Sequence, residues 1–291
     1  MQSGATLTFW GVRGSIASPG VHTVIFGGNT SCVSVEYQDH IFIFDGGTGI
    51  RKLGQYLDAK KEPPVIAGHI FLSHMHWDHI QGLPFFSPAF SEENRFTIYG
   101  EGKYKMTLPQ ILKEQMQRPY FPVDMKSLFR ADITFQQVDP QQVVPIAPGI
   151  SVTPFRLTHP NGALGYVLAL ANLRIAYVTD HEHRLGQLSK NVTETVLSVD
   201  VLIHDSQYTR EQLAACKKGW GHSAWEDVVD LAIQCDVKQL FLYHHDPDTS
   251  DEVLNERQLL AQQRFPHTIV AREGLKVPLA PGLQNEISSK V

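Results

Sequence analysis

The sequence has little of what disulfide-rich, membrane-spanning and nucleic-acid-binding proteins need. Its three cysteines, Cys32, Cys216 and Cys235, lie far apart and form no C-x-x-C pair, so neither a disulfide framework nor a thiolate zinc site is expected. No apolar run of about 18 residues occurs, which predicts no membrane helix. The net charge of −5 does not support a broadly basic surface for nucleic acid.

Residues 1–5 also lack the basic region and apolar core of a secretory signal, so we expect a cytoplasmic protein. With 42% hydrophobic and 19% charged residues, the 291-residue chain has the composition of a globular protein that can bury a substantial core.

What the sequence does contain is a dense cluster of metal-capable side chains, Ser73-His74-Met75-His76-Trp77-Asp78-His79, directly after an apolar run. Imidazole and carboxylate groups are ligands for zinc, manganese and iron, and grouped histidines are costly to bury without partners. Because further ligand candidates occur later in the chain, the cluster favours two metal ions over one closed tetrahedral site.

Apolar strands that end in a histidine or an aspartate recur along the chain. The predicted strands at 66–73, 150–157, 173–178, 199–203 and 239–243 are followed by His74, by His159, by Asp180-His181, by His204-Asp205 and by His244-His245-Asp246, respectively. This pattern indicates that the strand ends meet at one rim. His244 and His245 are rivals for the last ligand position.

Between these strands, the sequence predicts a hairpin at 32–37 and 40–44, a helix at 50–57 and a helix beginning near Trp225. The spacing of Ser223 and Glu226 is typical of a capping box, which places His222 just ahead of that helix. Residues 84 to 130 hold several aromatics and prolines and are expected to form a lid-like insertion or pocket wall, since long connections are usually functional. A helical subdomain that only packs is the alternative.

With these residues assembled, the chain resembles the metallo-β-lactamase superfamily. His74-x-His76-x-Asp78-His79 matches its H-x-H-x-D-H signature, and Gly221-His222-Ser223-Ala224 resembles a histidine motif of the phosphodiesterase branch that includes transfer-RNA 3′-processing nucleases. The resemblance spans nearly the whole chain. It implies an α/β protein with one domain over residues 1–291, folded as a four-layer αββα sandwich of two mixed β-sheets with metals at one edge.

By the same resemblance, one metal would be held by His74, His76 and His159, and the other by Asp78, His79 and His244. Asp180 would bridge them, and Leu242-Tyr243-His244 favours His244 over His245 because it matches the family's Leu-x-His. We expect two divalent transition-metal ions, zinc foremost, although manganese and iron accept the same nitrogen and oxygen ligands.

A hydroxide bridging the two metals would attack a phosphodiester, with Asp78 orienting the hydroxide. His222 would protonate the leaving alkoxide or stabilise charge on the phosphoryl oxygens, and Asp205 could position His222. Further candidates for substrate contacts are Arg13, Asn29, Phe85 and Arg118.

The sequence lacks the long glycine- and basic-rich arm of the nuclease relatives and is acidic, which predicts a small anionic phosphodiester such as a cyclic nucleotide. The sequence also leaves a homodimer open. The first alternative is a lactonase or thioesterase, in which the same hydroxide attacks a carbonyl without His222. An RNA-processing nuclease is the second. A di-iron redox module is disfavoured by the histidine at position 76, and an idle domain by the presence of all seven expected ligands.

Overall fold

Two seven-stranded β-sheets face each other across an apolar layer in the computed structural model, which describes residues 4–60, 65–184 and 186–279. The first sheet, in spatial order, contains β14 (Lys276–Leu279), β1 (Ala5–Gly11), β2 (Cys32–Tyr37), β3 (His40–Phe44), β4 (Ala67–Phe71), β5 (Arg95–Gly100) and β6 (Asp132–Gln137). The second contains β13 (Thr268–Val270), β12 (Gln239–Tyr243), β11 (Val201–Asp205), β10 (Leu173–Val178), β9 (Ala163–Leu170), β8 (Ile150–Leu157) and β7 (Val144–Ala147).

The two sheets follow the same plan. In each, an antiparallel meander, β1-β2-β3 or β8-β9-β10, is extended by three parallel pairings, through β4-β5-β6 or β11-β12-β13. A further antiparallel strand pairs with the first strand of each meander: β14 with β1, and β7 with β8. Each sheet is therefore mixed, with its parallel half connected through helices, as parallel strands require.

Helices connect the parallel strands of both sheets, and the longer ones cover the outer faces. They are α1 (Ile50–Ala59), α2 (Trp77–Ile80), α3 (Leu108–Gln115), α4 (Met125–Leu128), α5 (Lys190–Thr195), α6 (Arg210–Gln212), α7 (Trp225–Gln234) and α8 (Asp251–Arg264), with 3₁₀ turns at Leu83–Phe85 and Ser87–Phe90 and a π-helical turn at Leu213–Lys217. In α1, Ile50, Leu53, Gly54 and Leu57 are buried, which is the i, i+3, i+4, i+7 face of an amphipathic helix.

Three apolar layers hold the fold together. The central layer lies between the sheets and includes Phe9, Phe44 and Phe241, whose rings are buried. One outer layer packs α5, α7 and α8 against the second sheet, and the other packs α1 and α3 against the first. Every residue of β11 and of β12 is buried, as expected for parallel strands covered on both faces. The predicted α/β class and the sandwich of two mixed sheets are confirmed.

The predicted insertion at about 84–130 needs correction, because it is not a single unit. β5 lies inside it and pairs in parallel with β4 and β6, so residues 95–100 belong to the first sheet. Before β5, Leu83, Phe86 and Ala89 of the 3₁₀ turns are buried in the outer layer with α1. The part outside the sheet and beyond β5 is thus reduced to residues 101–130, which carry α3 and α4.

The capping box predicted for Ser223 and Glu226 is wrong, although α7 does begin at Trp225. Its N-cap is Ala224, which offers no side-chain oxygen. The Ser223 hydroxyl instead donates to the carbonyl oxygen of His181, and the Glu226 carboxylate accepts from the backbone N–H of Arg210 at 3.1 Å. Both side chains are therefore used to hold neighbouring loops rather than the helix terminus. Within the described residues, no helix has the length and apolar character needed to cross a membrane.

Candidate metal centre

The seven predicted metal ligands meet at one rim of the sandwich, beyond the ends of the strands. His74 and His76 follow β4, and Asp78 and His79 lie on the single-turn helix α2. The other three follow strands of the second sheet: His159 after β8, Asp180 after β10 and His244 after β12. Because β10, β11 and β12 are parallel, their carboxyl ends lie together, where α/β proteins usually bind ligands.

Asp180 lies between two groups of histidines. Its Oδ2 is 3.6 Å from His74 Nε2 and 3.4 Å from His159 Nε2. Its Oδ1 is 3.2 Å from His79 Nε2 and 3.0 Å from His244 Nε2. The two oxygens of one carboxylate thus face different ligand groups, which is the arrangement that a bridging carboxylate requires.

Each histidine group is completed by one more side chain. His76 Nδ1 lies 3.1 Å from His159 Nε2, which joins His76 to the group with His74. Asp78 Oδ2 lies 3.2 Å from His79 Nε2 and 3.3 Å from His244 Nε2. Asp78 also accepts a hydrogen bond of 2.7 Å from the backbone N–H of Ser15, which fixes its orientation.

Hydrogen bonds at the far side of three rings leave Nε2 as the free ligand atom. The Nδ1–H of His79 donates to Asp45 at 2.8 Å, that of His159 to the carbonyl oxygen of Gly221 at 3.0 Å, and that of His244 to Gln207 at 3.2 Å. Such outer partners set the tautomer and ring orientation of metal-binding histidines. Nε2 of His74 and of His79 is buried without a hydrogen-bond partner. These residues therefore fit two divalent metal ions.

The charges of the site agree with this fit. Burial raises the pKa of Asp180, but His244, His79 and His74 outweigh it and hold this pKa well below its usual range. Burial lowers the pKa of His79, but Asp78, Asp180 and Asp45 outweigh it and raise this pKa well above its usual value. Carboxylates that stay ionised and stabilise a proton on His79 would stabilise a divalent cation in its place.

Asp45 is a functional residue that the sequence prediction missed. It follows β3, is fully buried, and accepts hydrogen bonds from the Ser73 N–H at 2.7 Å, from the Ser73 hydroxyl at 2.8 Å and from the Tyr177 hydroxyl at 2.8 Å, besides the His79 bond. It therefore orients both the loop that carries the histidine cluster and one ligand within it. Its position directly after an apolar strand is the signal that could have identified it.

His222 lies against the two ligand groups. Its ring stacks on that of His244 at 5.2 Å between centroids and meets that of His159 edge-on at 5.3 Å. The Nδ1–H of His222 donates to Asp205 Oδ2 at 2.7 Å, which leaves Nε2 available to a substrate. Burial lowers its pKa, but the charge of Asp205 and this hydrogen bond outweigh burial and raise the pKa to about 9.

Two glycines let the backbone approach the ligands closely. A Cβ at Gly14 would overlap the His244 ring. A Cβ at Gly221 would overlap the ring of His159, and Gly221 also has φ +88°, in the region that favours glycine. The glycine beside His222 is thus required by the packing of His159.

Replacing Gly221 by alanine should displace His159 and weaken metal binding by about 10- to 100-fold, as loss of an outer partner does in other metal sites. Metal titration of the metal-free protein measures this change. Gly219→Ala is the matched control, because Gly219 has φ +85° but open space around a Cβ. Equal metal affinity of the two variants would contradict the proposed packing role.

Not all the predicted substrate contacts reach the site. Arg13 is fully buried, and its guanidinium donates to the backbone carbonyls of Gly27, Asp246 and Thr249. Arg13 therefore holds loops together and is not accessible to a substrate. The Asn29 amide donates to Glu273 at 2.9 Å, which engages its donor group elsewhere.

Phe85 and Arg118 remain exposed. Phe85 packs edge-on against Phe121 at 5.8 Å, and Arg118 lines an open cavity of about 580 Å³ with Phe121.

The structure favours His244 over His245 as the last ligand candidate. His245 Nε2 hydrogen bonds to the carbonyl oxygen of Ala271 and not to the ligand groups.

Three further buried histidines lie beneath the rim: His181, His183 and His204. His181 Nε2 is 3.2 Å from His183 Nδ1, and the rings of His183 and His204 stack at 5.2 Å. The Nδ1–H of His204 donates to the backbone carbonyl of Asp205 at 2.7 Å. Burial lowers the pKa of His204 to about 4, although Asp205 partly opposes it.

This depressed pKa predicts loss of stability in acid. The unfolded state binds a proton near pH 6.5 but the folded state only near pH 4, so the contribution of His204 is full above 6.5 and falls as pH drops. Between pH 7.5 and 5 the loss should be about 2 kcal/mol. Denaturant unfolding of the metal-free protein, compared with His204→Asn, measures it. A difference between the two proteins that does not change with pH would refute the prediction.

Residues 40–245 match the family model described as the β-lactamase superfamily domain. The chain belongs to this superfamily. Ribonuclease Z of Phocaeicola vulgatus is 24% identical over 292 residues, which cover 84% of this chain and 90% of that protein. Ribonuclease Z of Methanococcus aeolicus is 35% identical over only 88 residues, 29% of this chain and about a quarter (26%) of that relative.

Solved structures share the superfamily fold over nearly the whole chain. A diphosphatase from the PhnP family has a TM-score of 0.68 at 19% identity, covering 95% of this chain and 98% of its own. Zinc-bound PqqB from Methylobacterium extorquens has a TM-score of 0.68 at 16% identity, covering 94% and 100%. The predicted superfamily and a metal-dependent hydrolase are thereby confirmed, and the ribonuclease Z relatives agree with the predicted phosphodiesterase branch.

Proposed function

We propose that this protein is a dinuclear, metal-dependent phosphodiesterase that acts on a small anionic diester. The observation that carries the proposal is the His222–Asp205 pair, which lies against the ligand rings His159 and His244. A hydrolase of carbonyl substrates would not need this additional acid. A phosphodiester has an alkoxide leaving group that gains from a proton.

The ligand groups define what each residue would do. His74, His76 and His159 would hold one ion, Asp78, His79 and His244 the other, and Asp180 would contact both. Two divalent ions in such a site supply a water of lowered pKa and a positive clamp on phosphoryl oxygens. The zinc-bound structural neighbour supports zinc as the metal.

The protein's own residues would complete the reaction. Asp78, held by the Ser15 N–H, would accept a hydrogen bond from the attacking water and align it with phosphorus. His222 Nε2 would donate its proton to the oxygen of the departing group, and Asp205 would stabilise the imidazolium before that transfer. Against the effect of burial, the charge of Asp205 raises the pKa of His222 to about 9, which favours the protonated ring that this transfer needs.

A second candidate is an RNA-processing nuclease, which is favoured by the relatives named ribonuclease Z. The net charge of −5 favours the small substrate, because RNA binding depends on many cationic contacts with phosphates. The diphosphatase fold neighbour also supports small phosphate-containing substrates.

A substrate panel tests the proposal. The purified protein, loaded in turn with zinc, manganese and iron, is assayed on phosphodiesters, lactones, thioesters and a transfer-RNA precursor. We expect hydrolysis of small diesters with about two ions bound per chain. Turnover of lactones or thioesters alone would favour the carbonyl alternative, turnover of the RNA precursor alone would favour the nuclease, and absence of bound metal would reject the whole group of functions.

A further inference from the structure

A cavity of about 180 Å³ opens beside His74 and His76. Most of its wall is apolar, formed by Met75, Met106, Ile111 and the ring of Tyr104. About six water molecules at ~30 Å³ each would fill this volume, whereas pockets for drug-sized ligands hold about 300–1,000 Å³. The cavity is therefore of a size for one organic ring system rather than for a length of polymer.

A tight turn forms the mouth of this cavity. The N–H of Met106 donates to the carbonyl oxygen of Lys103 at 2.8 Å, and the two residues between them, Tyr104 and Lys105, have φ of +51° and +64°. This backbone region is uncommon for residues other than glycine but is the one that a two-residue hairpin turn requires. The Tyr104 hydroxyl donates to Asn161, two residues after the ligand His159. The turn is thus tied to a loop of the metal centre.

The mouth also carries a cation, because Lys103 lines the cavity. Glu101 is contacted by both Arg156 nitrogens, at 2.7 and 2.6 Å, and by Lys103 Nζ at 2.7 Å. Lys103 and Arg156 thus share this carboxylate, and Arg156 also lies near Asp139. A cationic rim beside an apolar cavity matches a ligand that carries both a phosphate and an uncharged ring.

We propose that this cavity binds the base of a small nucleotide diester, with Tyr104 stacking on the ring and Met75 and Met106 packing against it. An aromatic ring and polarisable thioethers suit the flat face of a base. The assignment rests on the proposed function, because it takes the scissile phosphate to lie at the ligand groups beside the cavity. Tyr104 then determines substrate specificity without taking part in the chemistry.

A binding experiment tests the cavity separately from turnover. The zinc-loaded protein is titrated calorimetrically with adenosine 5′-monophosphate and with ribose 5-phosphate, which differ by the base. We expect the nucleotide to bind roughly 5- to 150-fold more tightly, as stacking of one base on an aromatic side chain gives. Equal affinities in the wild-type protein would overturn the proposal.

Variants identify the residue responsible. Tyr104→Ala should remove most of the advantage of the nucleotide, while Tyr104→Phe should keep it because the ring remains. Tyr120→Ala is the matched control, since Tyr120 is 79% exposed and Tyr104 77%, yet only Tyr104 lines this cavity. Equal loss in the Tyr104→Ala and Tyr120→Ala variants would overturn the assignment. Met106→Trp, which fills the cavity, should reproduce the effect of Tyr104→Ala.

Turnover separates failure of this inference from failure of the proposed function. If methyl p-nitrophenyl phosphate and a 3′,5′-cyclic nucleotide are both hydrolysed, Met106→Trp should raise KM for the cyclic nucleotide about tenfold or more and leave the methyl ester nearly unchanged. Equal effects on both esters would overturn the cavity assignment. Hydrolysis of no diester by the wild type would reject the proposed function. If single-stranded RNA inhibits hydrolysis but free nucleotides do not, the base in this cavity belongs to RNA, and the proposal of a small nucleotide is overturned.

Discussion

Asp180→Asn should lower the metal content from about two ions per chain to fewer than one and reduce diester hydrolysis by roughly 10³-fold or more. The two oxygens of Asp180 face different histidine groups, so one substitution affects both ions. Asparagine keeps the size of the side chain but removes its charge and replaces one acceptor by an N–H₂ donor. Metal analysis of the protein after gel filtration, together with turnover, measures the result.

The appropriate control for this variant is Asp39→Asn, which changes an exposed aspartate in the turn between β2 and β3. It should retain full metal content. Circular dichroism of both variants separates loss of metal from loss of the fold. Two tightly bound ions in Asp180→Asn would show that this carboxylate does not bridge the ligand groups.

His222→Ala should reduce turnover of a diester with an alcohol leaving group by about 10²- to 10⁴-fold, which is the usual effect of removing a general acid. The loss should be much smaller for bis(p-nitrophenyl) phosphate, because p-nitrophenolate leaves without a proton. Metal content should remain near two ions, since none of the seven ligands is changed. Steady-state kinetics on the two substrates, with metal analysis, measures these effects.

Asp205→Asn is the companion variant, because it keeps the His222 imidazole and removes the charge that holds its proton. Its turnover should fall between those of the wild type and His222→Ala. If His222→Ala slows both substrates equally, His222 stabilises charge on phosphorus rather than protonating the leaving group. If neither substrate is slowed, the protein does not use His222 for catalysis and the carbonyl alternative gains.

Much of the metal centre could be predicted from the sequence, because ligands on successive strand ends leave a local pattern that does not depend on packing. His74 to His79, His159, Asp180 and His244 each follow an apolar segment, and the structure brings these segments together at one rim. The sequence also suggested that Asp205 could position His222, and the two side chains do hydrogen bond.

What could not be predicted depends on contacts between distant parts of the chain. Arg13 lies in a glycine-rich loop near the site, but only the fold shows that the carbonyls of residues 246 and 249 surround its guanidinium. Asp45 and Asp180 both follow apolar strands, and nothing local distinguishes the carboxylate that orients one histidine from the one that lies between the two histidine groups.

Four strands, β5, β6, β7 and β14, are absent from the sequence prediction for a different reason. β7 and β14 are short edge strands that contain Pro145 and Pro278, and proline normally argues against a strand because it cannot donate to the ladder. β6 is an edge strand too, and its polar, partly exposed residues give little hydrophobic signal. β5 was hidden within a segment whose aromatics and prolines indicated an irregular lid.

The common plan of the two sheets makes β3 and β10 counterparts, each the last strand of its meander. Each is followed by an aspartate in the left-handed conformation, Asp45 with φ +60° and Asp180 with φ +50°. In one half of the molecule this carboxylate hydrogen bonds to a histidine, and in the other half it lies between the two histidine groups. The two halves therefore repeat one backbone conformation at the same topological position, with a different set of partners for the carboxylate in each.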